Sequence, residues 1–381
     1  MRIRGRTLSV TAVLICAVVL SGCSGADGSA PTASPSPTPT PSALAFVMPG
    51  IPGPVLDLSC PDLVPAADLR TLFGAKAYQP RTDSAWLVSP REYAVRGAGG
   101  IACLWGNDAP ERKGGGFANA ASDLLQVTVL PSVTAAEWAK YGDLYPQDDP
   151  AAAFGDRSGT GCFAGNDPAP ACSVNVLVGN VWLEVLAYGI NVDDGGADAD
   201  LLTLVSPVVD GMVDRIRAAP VIGRQAPPAA PADPALCRSV LPGDWEHPAG
   251  GWSLAGSAAE RAGAVTCLPR NTGTKGVAAA WLDLLPGGAW AFAPAVAESG
   301  VAGGAEVVTV AGTSVPASYL RCPVPGSSPD TESFSGCSVD VAVGEDWLRV
   351  GLPIDDRNPW YPGMAGHLLG LAAEVVQNAA R

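Results

Sequence analysis

The pattern of apolar and polar positions is clearest in a segment that the chain contains twice. Residues 172–185 read CSVNVLVGNVWLEV and residues 337–350 read CSVDVAVGEDWLRV, so nine of fourteen positions are identical without a gap. The alternating valines predict strands, and the central glycine with its neighbour predicts a two-residue turn. We therefore predict a β-hairpin in each copy. In the first hairpin, Trp182 and Glu184 face the opposite side of the sheet from Leu183.

Segments on either side of the hairpins predict the other elements. Each copy closes on a stretch typical of a helix, over residues 201–219 with Asp200 as its N-cap and over residues 364–380. Residues 65–74 predict a short helix with proline in its first turn and glycine at its end. The matched strands are residues 103–105 with 267–269 and residues 126–131 with 281–286. Strands follow one another without regular helical alternation, which predicts an α+β fold.

Length and repetition together predict two tandem homologous domains, each a mainly antiparallel sheet packed with helices. The first repeat domain is predicted over residues 55–220 and the second over residues 236–381, with a Pro/Ala-rich linker over 221–235. A chain of 381 residues fits two domains, and an apolar fraction of 48% suffices for a sizeable core.

The N-terminus predicts export and lipid attachment. Three arginines within the first six residues precede an apolar run over residues 10–20, as in a secretory signal, and this run is shorter than the roughly 20 residues that span a bilayer. The run ends in Leu20-Ser21-Gly22-Cys23, which resembles the lipobox of bacterial lipoproteins. This resemblance implies that residues 1–22 are a cleaved signal peptide and that Cys23 carries acyl chains such as palmitate. An ordinary signal peptide followed by an unmodified cysteine is the alternative.

Residues 23–54 are predicted to comprise the lipidated cysteine and a Ser/Thr/Pro-rich stalk. Prolines alternate with serine and threonine between residues 35 and 41, which favours a polyproline II conformation of about 3.1 Å per residue. We expect a semi-rigid tether that holds the folded body at the extracytoplasmic face of the cell membrane.

The cysteines outside this segment predict disulfide bonds. Cys16 lies in the signal peptide, and eight cysteines remain beyond Cys23, four in each repeat. An even set in an exported protein is typical of disulfides, whereas zinc is disfavoured because there is no C-x-x-C pair and only two histidines are present. We predict that the first cysteine bonds the second and the third bonds the fourth in each repeat. The predicted pairs are Cys60–Cys103, Cys162–Cys172, Cys237–Cys267 and Cys322–Cys337.

Net charge limits the partners that the chain can bind. The formal charge is −14, and loss of residues 1–22 removes three arginines and no acid, which leaves 20 basic and 37 acidic residues and a charge of −17. An acidic body is a poor partner for nucleic acid or anionic lipid heads. We therefore predict no nucleic-acid binding, and membrane contact through the lipid alone.

The sequence contains no catalytic or cofactor-binding motif. G-x-S-x-G, H-E-x-x-H, S-x-x-K and phosphate-loop patterns do not occur, and His247 and His367 are the two imidazoles. We predict no catalytic residue, cofactor or metal. The acidic stretch over residues 193–200 lacks the ligand spacing of a calcium loop and predicts a solvated loop. General-base chemistry would fall to carboxylates, first of all to the matched pairs Asp193/Asp194 and Asp355/Asp356.

Two tryptophans at matched positions are candidate binding residues. Trp182 and Trp347 either pack in a core beside the disulfides or form a stacking platform for a ligand or glycan.

The order of features resembles actinobacterial cell-envelope lipoproteins of the DUF3558 type, here in two tandem copies. It consists of a lipobox, a Ser/Thr/Pro stalk, a cysteine that opens a short leucine-rich helix, and a later Cys-Leu-Trp. The likeness is clearest over residues 58–105, and Pro269 replaces the tryptophan in the second copy. The resemblance implies an α+β domain outside the cell and transfers no catalytic residue.

We therefore expect a membrane-anchored, non-enzymatic binding or interaction module for an envelope protein, a glycan or an apolar ligand. A carboxylate-dependent extracytoplasmic hydrolase and a structural envelope-assembly protein are the alternatives.

Overall fold

A computed structural model describes the part of the chain that follows the predicted stalk. All the described residues belong to one compact unit, Ser42–Arg381. Residues 1–52, with Cys23, lie outside the described residues, as do both matched aspartate pairs and His247. The described residues are 53–74, 79–80, 90–106, 124–142, 154–163, 170–190, 198–222, 237, 245–246, 254–269, 280–292, 306–313, 318–322, 336–353 and 362–379.

The N-terminal part of this body is a six-stranded antiparallel sheet, which we call the N-terminal sheet, with the order β1-β2-β3-β6-β5-β4. Its elements are α1 (Cys60–Leu63), α2 (Ala66–Phe73), β1 (Gln79–Pro80), α3 (Pro90–Gly97), β2 (Ile101–Gly106), β3 (Leu124–Leu130), α4 (Ala135–Gly142), β4 (Arg157–Phe163), β5 (Ala171–Val178), β6 (Val181–Tyr188) and α5 (Asp198–Ala218).

The C-terminal part is a seven-stranded antiparallel sheet, the C-terminal sheet, with the order β10-β11-β12-β13-β9-β8-β7. Counted from β7, this order repeats that of the N-terminal sheet and adds β10. Its elements are β7 (Trp245–Glu246), α6 (Leu254–Arg261), β8 (Val265–Pro269), β9 (Trp281–Leu285), β10 (Glu306–Val308), β11 (Ser318–Arg321), β12 (Gly336–Val343), β13 (Asp346–Pro353) and α7 (Met364–Ala379). The predicted α+β fold with antiparallel sheets is confirmed, whereas the domain boundaries stay predictions.

Both predicted hairpins are present. In the first, Val178 pairs with Val181 across the turn, and Gly179 has a positive φ of 62° that glycine adopts without steric cost. In the second, Val343 pairs with Asp346 around Gly344, whose φ is 61°. The two copies of the sequence motif thus have the same local structure.

One face of each sheet carries a hydrophobic core beneath the closing helix. Leu183 and Val185 of β6 belong to a core with α1, α2 and α5, and Leu348 and Val350 of β13 belong to a core with α7. Trp182 lies in neither core, which confirms that it faces the other side of the hairpin from Leu183.

Helix ends follow the capping signals with two exceptions. Helix α2 ends at Phe73 with Gly74 as its C-cap, as predicted, whereas Pro65 is its N-cap and not a residue of the first turn. Helix α7 ends at Ala379. Helix α5, however, begins at Asp198, so the prediction of Asp200 as its N-cap is wrong. Asp200 lies in the first turn instead, where a carboxylate is favoured by the positive end of the helix dipole.

All four predicted cysteine pairs are at disulfide distance. Their Cα–Cα separations are 5.7 Å for Cys60–Cys103, 4.1 Å for Cys162–Cys172, 5.5 Å for Cys237–Cys267 and 4.2 Å for Cys322–Cys337. In each sheet one bond fixes a cysteine that precedes the first strand to an inner strand, and the other connects two neighbouring strands at or next to their ends. Among the helices that the structure describes, none has both the length and the apolar character needed to cross a membrane.

Candidate functional site: the buried junction between the two sheets

The second face of each sheet is covered by a helix from the other part of the chain. Helix α3 contacts β9 and β13 of the C-terminal sheet, α6 contacts β3 of the N-terminal sheet, and the two helices contact each other. We call this region the junction. Its buried residues are Tyr93, Ala94, Val95, Ala98, Leu130, Val133, Trp138, Leu177, Trp182, Leu254, Ala258, Ala259, Ala262, Ala264, Leu285, Trp290, Ala291, Phe292, Ala342 and Trp347.

Both candidate platform tryptophans lie in the junction. Trp182 is 1% exposed and Trp347 is 0% exposed. The ring of Tyr93, on α3, packs edge-on against Trp347 at a centroid distance of 5.4 Å, so the C-terminal tryptophan contacts a helix from the N-terminal part. Neither indole has an exposed face for a ligand, which favours packing over a stacking platform. The packing is in the junction, however, and not beside the disulfides as expected, because the disulfide cysteines belong to the cores on the other face of each sheet.

A row of charged side chains lies beside Trp347 on the same face of the C-terminal sheet. Asp340 and Arg349 are directly opposite each other on β12 and β13, and Asp283 of β9 is opposite Arg349 on its other side. The Arg349 guanidinium donates to both Asp340 oxygens at 2.8 and 3.0 Å, and the Trp347 indole donates to Asp340 Oδ1 at 2.9 Å. Arg349 and Asp340 are buried, so this is a fully desolvated ion pair.

The matching row on the N-terminal sheet has a different chemistry. Asn175 replaces the aspartate and accepts the Trp182 indole N–H at 2.9 Å, and Glu184 replaces the arginine. Thr128 lies opposite Glu184 on β3. Burial raises the pKa of Glu184 to about 7, and a hydrogen bond from the Leu254 backbone N–H opposes this only in part. Within the described residues Glu184 makes no ion pair, so this row carries a carboxyl group without a matching cation.

An ion pair crosses the junction near its edge. Glu137 caps the start of α4 together with Thr134, and the Arg261 guanidinium of α6 lies 2.5 Å from its carboxylate. Arg261 also donates to the carbonyl oxygens of Pro131 and Ser132 at 2.6 and 2.9 Å. Burial raises the pKa of Glu137, but hydrogen bonds from Arg261 and Ser257 and the charge of Arg261 outweigh it, so the net pKa is lowered.

Replacing Arg261 by alanine is expected to lower the free energy of unfolding by about 1 to 3 kcal/mol, because Glu137 and two carbonyl groups lose their donor. Arg217→Ala is the matched control, since Arg217 is half exposed and its ion pairs with Asp214 and Asp156, at 3.6 and 3.9 Å, are exposed to solvent. Its loss should cost less than about 0.5 kcal/mol. Urea unfolding of both variants measures the difference. Equal losses would show that Arg261 does not hold the junction.

The structure places the other sequence-predicted residues as follows. The eight disulfide cysteines are paired, and His367 is exposed on α7. Cys23 and the pairs Asp193/Asp194 and Asp355/Asp356 lie outside the described residues. In the described parts of the chain, no three His, Cys, Asp or Glu side chains are grouped for binding a metal.

Sequence reasoning did not identify the polar rows. A signal was present in the repeat, since Glu184 and Arg349 are charged residues within strands of valine and leucine, two positions after the matched tryptophans. Alternation places each on the tryptophan's face and opposite Asn175 or Asp340. That this face is buried depends on α3 and α6, which are distant in sequence.

The fold and junction define a disulfide-bonded α+β body in which two similar sheets share a helical layer. No family model, no curated protein and no solved structure matches this chain.

Proposed function

We propose that the chain is a lipid-anchored protein of the extracytoplasmic face of a cell membrane, and that its body is a non-enzymatic interaction module. The proposal rests on which cysteines form disulfides and which do not. Eight of the ten cysteines bond one another, which leaves Cys16 and Cys23 outside these four disulfides. Of these two, Cys23 alone follows the Leu20-Ser21-Gly22 motif and precedes the Pro-rich stalk.

We further propose that the two sheets belong to tandem homologous domains, as the resemblance to DUF3558-type lipoproteins implies. Three observations support common ancestry: nine identities in fourteen positions, the same strand order, and disulfides at equivalent places. Unrelated sheets would not be expected to share all three.

The buried polar groups of the junction make contacts within the protein, which supports a binding role over a catalytic one. Asp340 is paired with Arg349, Glu137 is paired with Arg261, and Glu184 lies inside the junction. Side chains that hold two sheets together are not presented to a substrate. A junction of this kind instead unites the two sheets in one compact body, whose outer surface the stalk would present to a protein, glycan or apolar ligand of the envelope.

Replacing Cys23 by alanine is expected to abolish fatty-acid incorporation and membrane retention. The native chain, produced in a bacterium that processes lipoproteins and fed an alkyne-labelled fatty acid, should be labelled and should sediment with membranes. Cys16→Ala is the matched control and should keep both properties, because Cys16 would be removed with the signal peptide. A native chain without label, or a labelled Cys23→Ala chain, would refute the anchor.

Crosslinking in intact cells tests the interaction role. The anchored native chain should give a reproducible crosslinked partner that the released Cys23→Ala chain does not capture. If no partner recurs and the purified body hydrolyses an envelope substrate in a manner lost on Asp355→Asn substitution, the carboxylate-hydrolase alternative replaces this proposal.

A further inference from the structure

Glu184 lies at the contact between the N-terminal sheet and a helix from the C-terminal part. It is 7% exposed, on β6, with Thr128 and Asn175 directly opposite it on the two neighbouring strands. The backbone N–H of Leu254, the first residue of α6, donates a hydrogen bond to its carboxyl group. Glu184 therefore contacts the element that joins the C-terminal part to this sheet.

The neighbours of Glu184 suit a neutral carboxyl group better than a carboxylate. The two neighbouring strands, β3 and β5, contain no charged residue. Asn175 of β5 accepts the Trp182 indole N–H with its Oδ1, and its Nδ2 makes no hydrogen bond, so it does not donate to the Glu184 carboxyl group. A buried carboxylate without a cation is strongly destabilised relative to water. One backbone N–H and the weak field of a two-turn helix compensate for only part of this cost.

The described charged side chains of the helices around Glu184 make contacts with other groups or are exposed. Arg261 of α6 is bound to Glu137 of α4, and Glu260 of α6 is exposed. Arg96 of α3 is exposed and lies over the Tyr93 ring at 5.1 Å. None of these described side chains forms an ion pair with Glu184.

We propose that Glu184 is a pH-dependent latch between the two parts of the body. With its proton, the carboxyl group lets α6 pack closely on the N-terminal sheet. Without the proton, a negative charge lies inside the junction, and α6 separates from the sheet more often to let water reach it. The burial that raises the pKa of Glu184 to about 7 places this change near neutral pH.

The direction of the pH effect follows from linkage. Burial raises the pKa of Glu184 from its ordinary value of 4.5 to about 7 in the closed state. An open state in which water reaches the carboxyl group would return the pKa toward the ordinary value, so between these values the closed state binds more protons. The stability of the junction is therefore highest at acid pH and is lost as pH rises through about 7. Glu137 behaves differently, because its lowered pKa keeps it ionised throughout this interval.

Hydrogen exchange measured by mass spectrometry tests the latch on the intact body. After correction for the intrinsic pH dependence of exchange, amides of residues 181–188 and 254–262 in the native protein should lose protection by about tenfold or more between about pH 5.5 and about pH 8. Glu184→Gln should keep high protection at both pH values. Glu137→Gln, the matched control, keeps Glu184, so its protection should be lower than that of the native protein by one factor at both pH values and should show the native fall between them.

Three outcomes overturn the proposal: constant protection in the native protein, an equal fall in Glu184→Gln, or disappearance of the native fall in Glu137→Gln, which keeps Glu184. If Glu184→Gln does not fold, Glu184→Met provides a second neutral side chain of similar length. It should also show protection that is independent of pH, and a native-like fall in this variant counts against the latch.

Discussion

Replacing Arg349 by methionine is expected to lower the free energy of unfolding by about 3 to 5 kcal/mol at neutral pH. The reason is the placement of Arg349 between two aspartates: it donates to Asp340 at 2.8 Å and lies directly opposite Asp283. Methionine would leave Asp340, which is 0% exposed, without the guanidinium that donates to both of its oxygens. Guanidinium or urea unfolding of the native and variant proteins measures the loss.

The matched control removes the charge of the acids together with that of the arginine. In the triple variant Arg349→Met, Asp340→Asn, Asp283→Asn, most of the lost stability should return, because no uncompensated charge remains. Asparagine at position 340 keeps an acceptor for the Trp347 indole, as Asn175 does for Trp182 at 2.9 Å in the N-terminal sheet. If the single variant is as stable as the native protein, or the triple variant no better than the single one, this explanation is wrong.

Removal of the Cys60–Cys103 bond by a double alanine substitution should cost about 4 kcal/mol, and removal of Cys162–Cys172 about 3 kcal/mol. The first bond closes a loop with a sequence separation of 43 and the second one of only 10. A longer loop gains more freedom in the unfolded chain when it is opened. Thermal and denaturant unfolding of the two double variants under the same conditions shows which variant loses more stability.

The opposite order would contradict this entropic account. A larger loss from the Cys162 and Cys172 pair would mean that this bond stabilises the folded edge strand β4 more than it restricts the unfolded chain. Cys322–Cys337, with a separation of 15 in the C-terminal sheet, provides an independent check and should resemble the short-loop pair.

Local chemistry explains which parts of the fold could be predicted from the sequence. The hairpins were predictable because alternation and a glycine turn act over a few residues. The pairing of cysteines was predictable because each bond joins cysteines that are consecutive along the chain. Helix α5 began earlier than predicted, at Asp198, because aspartate is accepted within a first turn as well as before it.

The junction could not be predicted because its burial is decided by distant contacts. Helix α3 is only eight residues long, and its Tyr93 and Val95 pack against different sheets, so no single apolar face marks it as buried. Alternation places Glu184 and Trp182 on the same face. Whether that face meets solvent depends on α6, which follows some 70 residues later in the chain.

Each sheet is covered by a helix from the other part of the chain, and this arrangement has a consequence for proteolysis. A protease that cut the backbone between Ile222 and Cys237 would produce two fragments, yet each would still hold the helix that covers the other's sheet. The fragments would remain associated through the packing of α3 and α6 and the contact of Arg261 with Glu137. With the proposed anchor on the first fragment, the second would be retained at the membrane although it carries no lipid of its own.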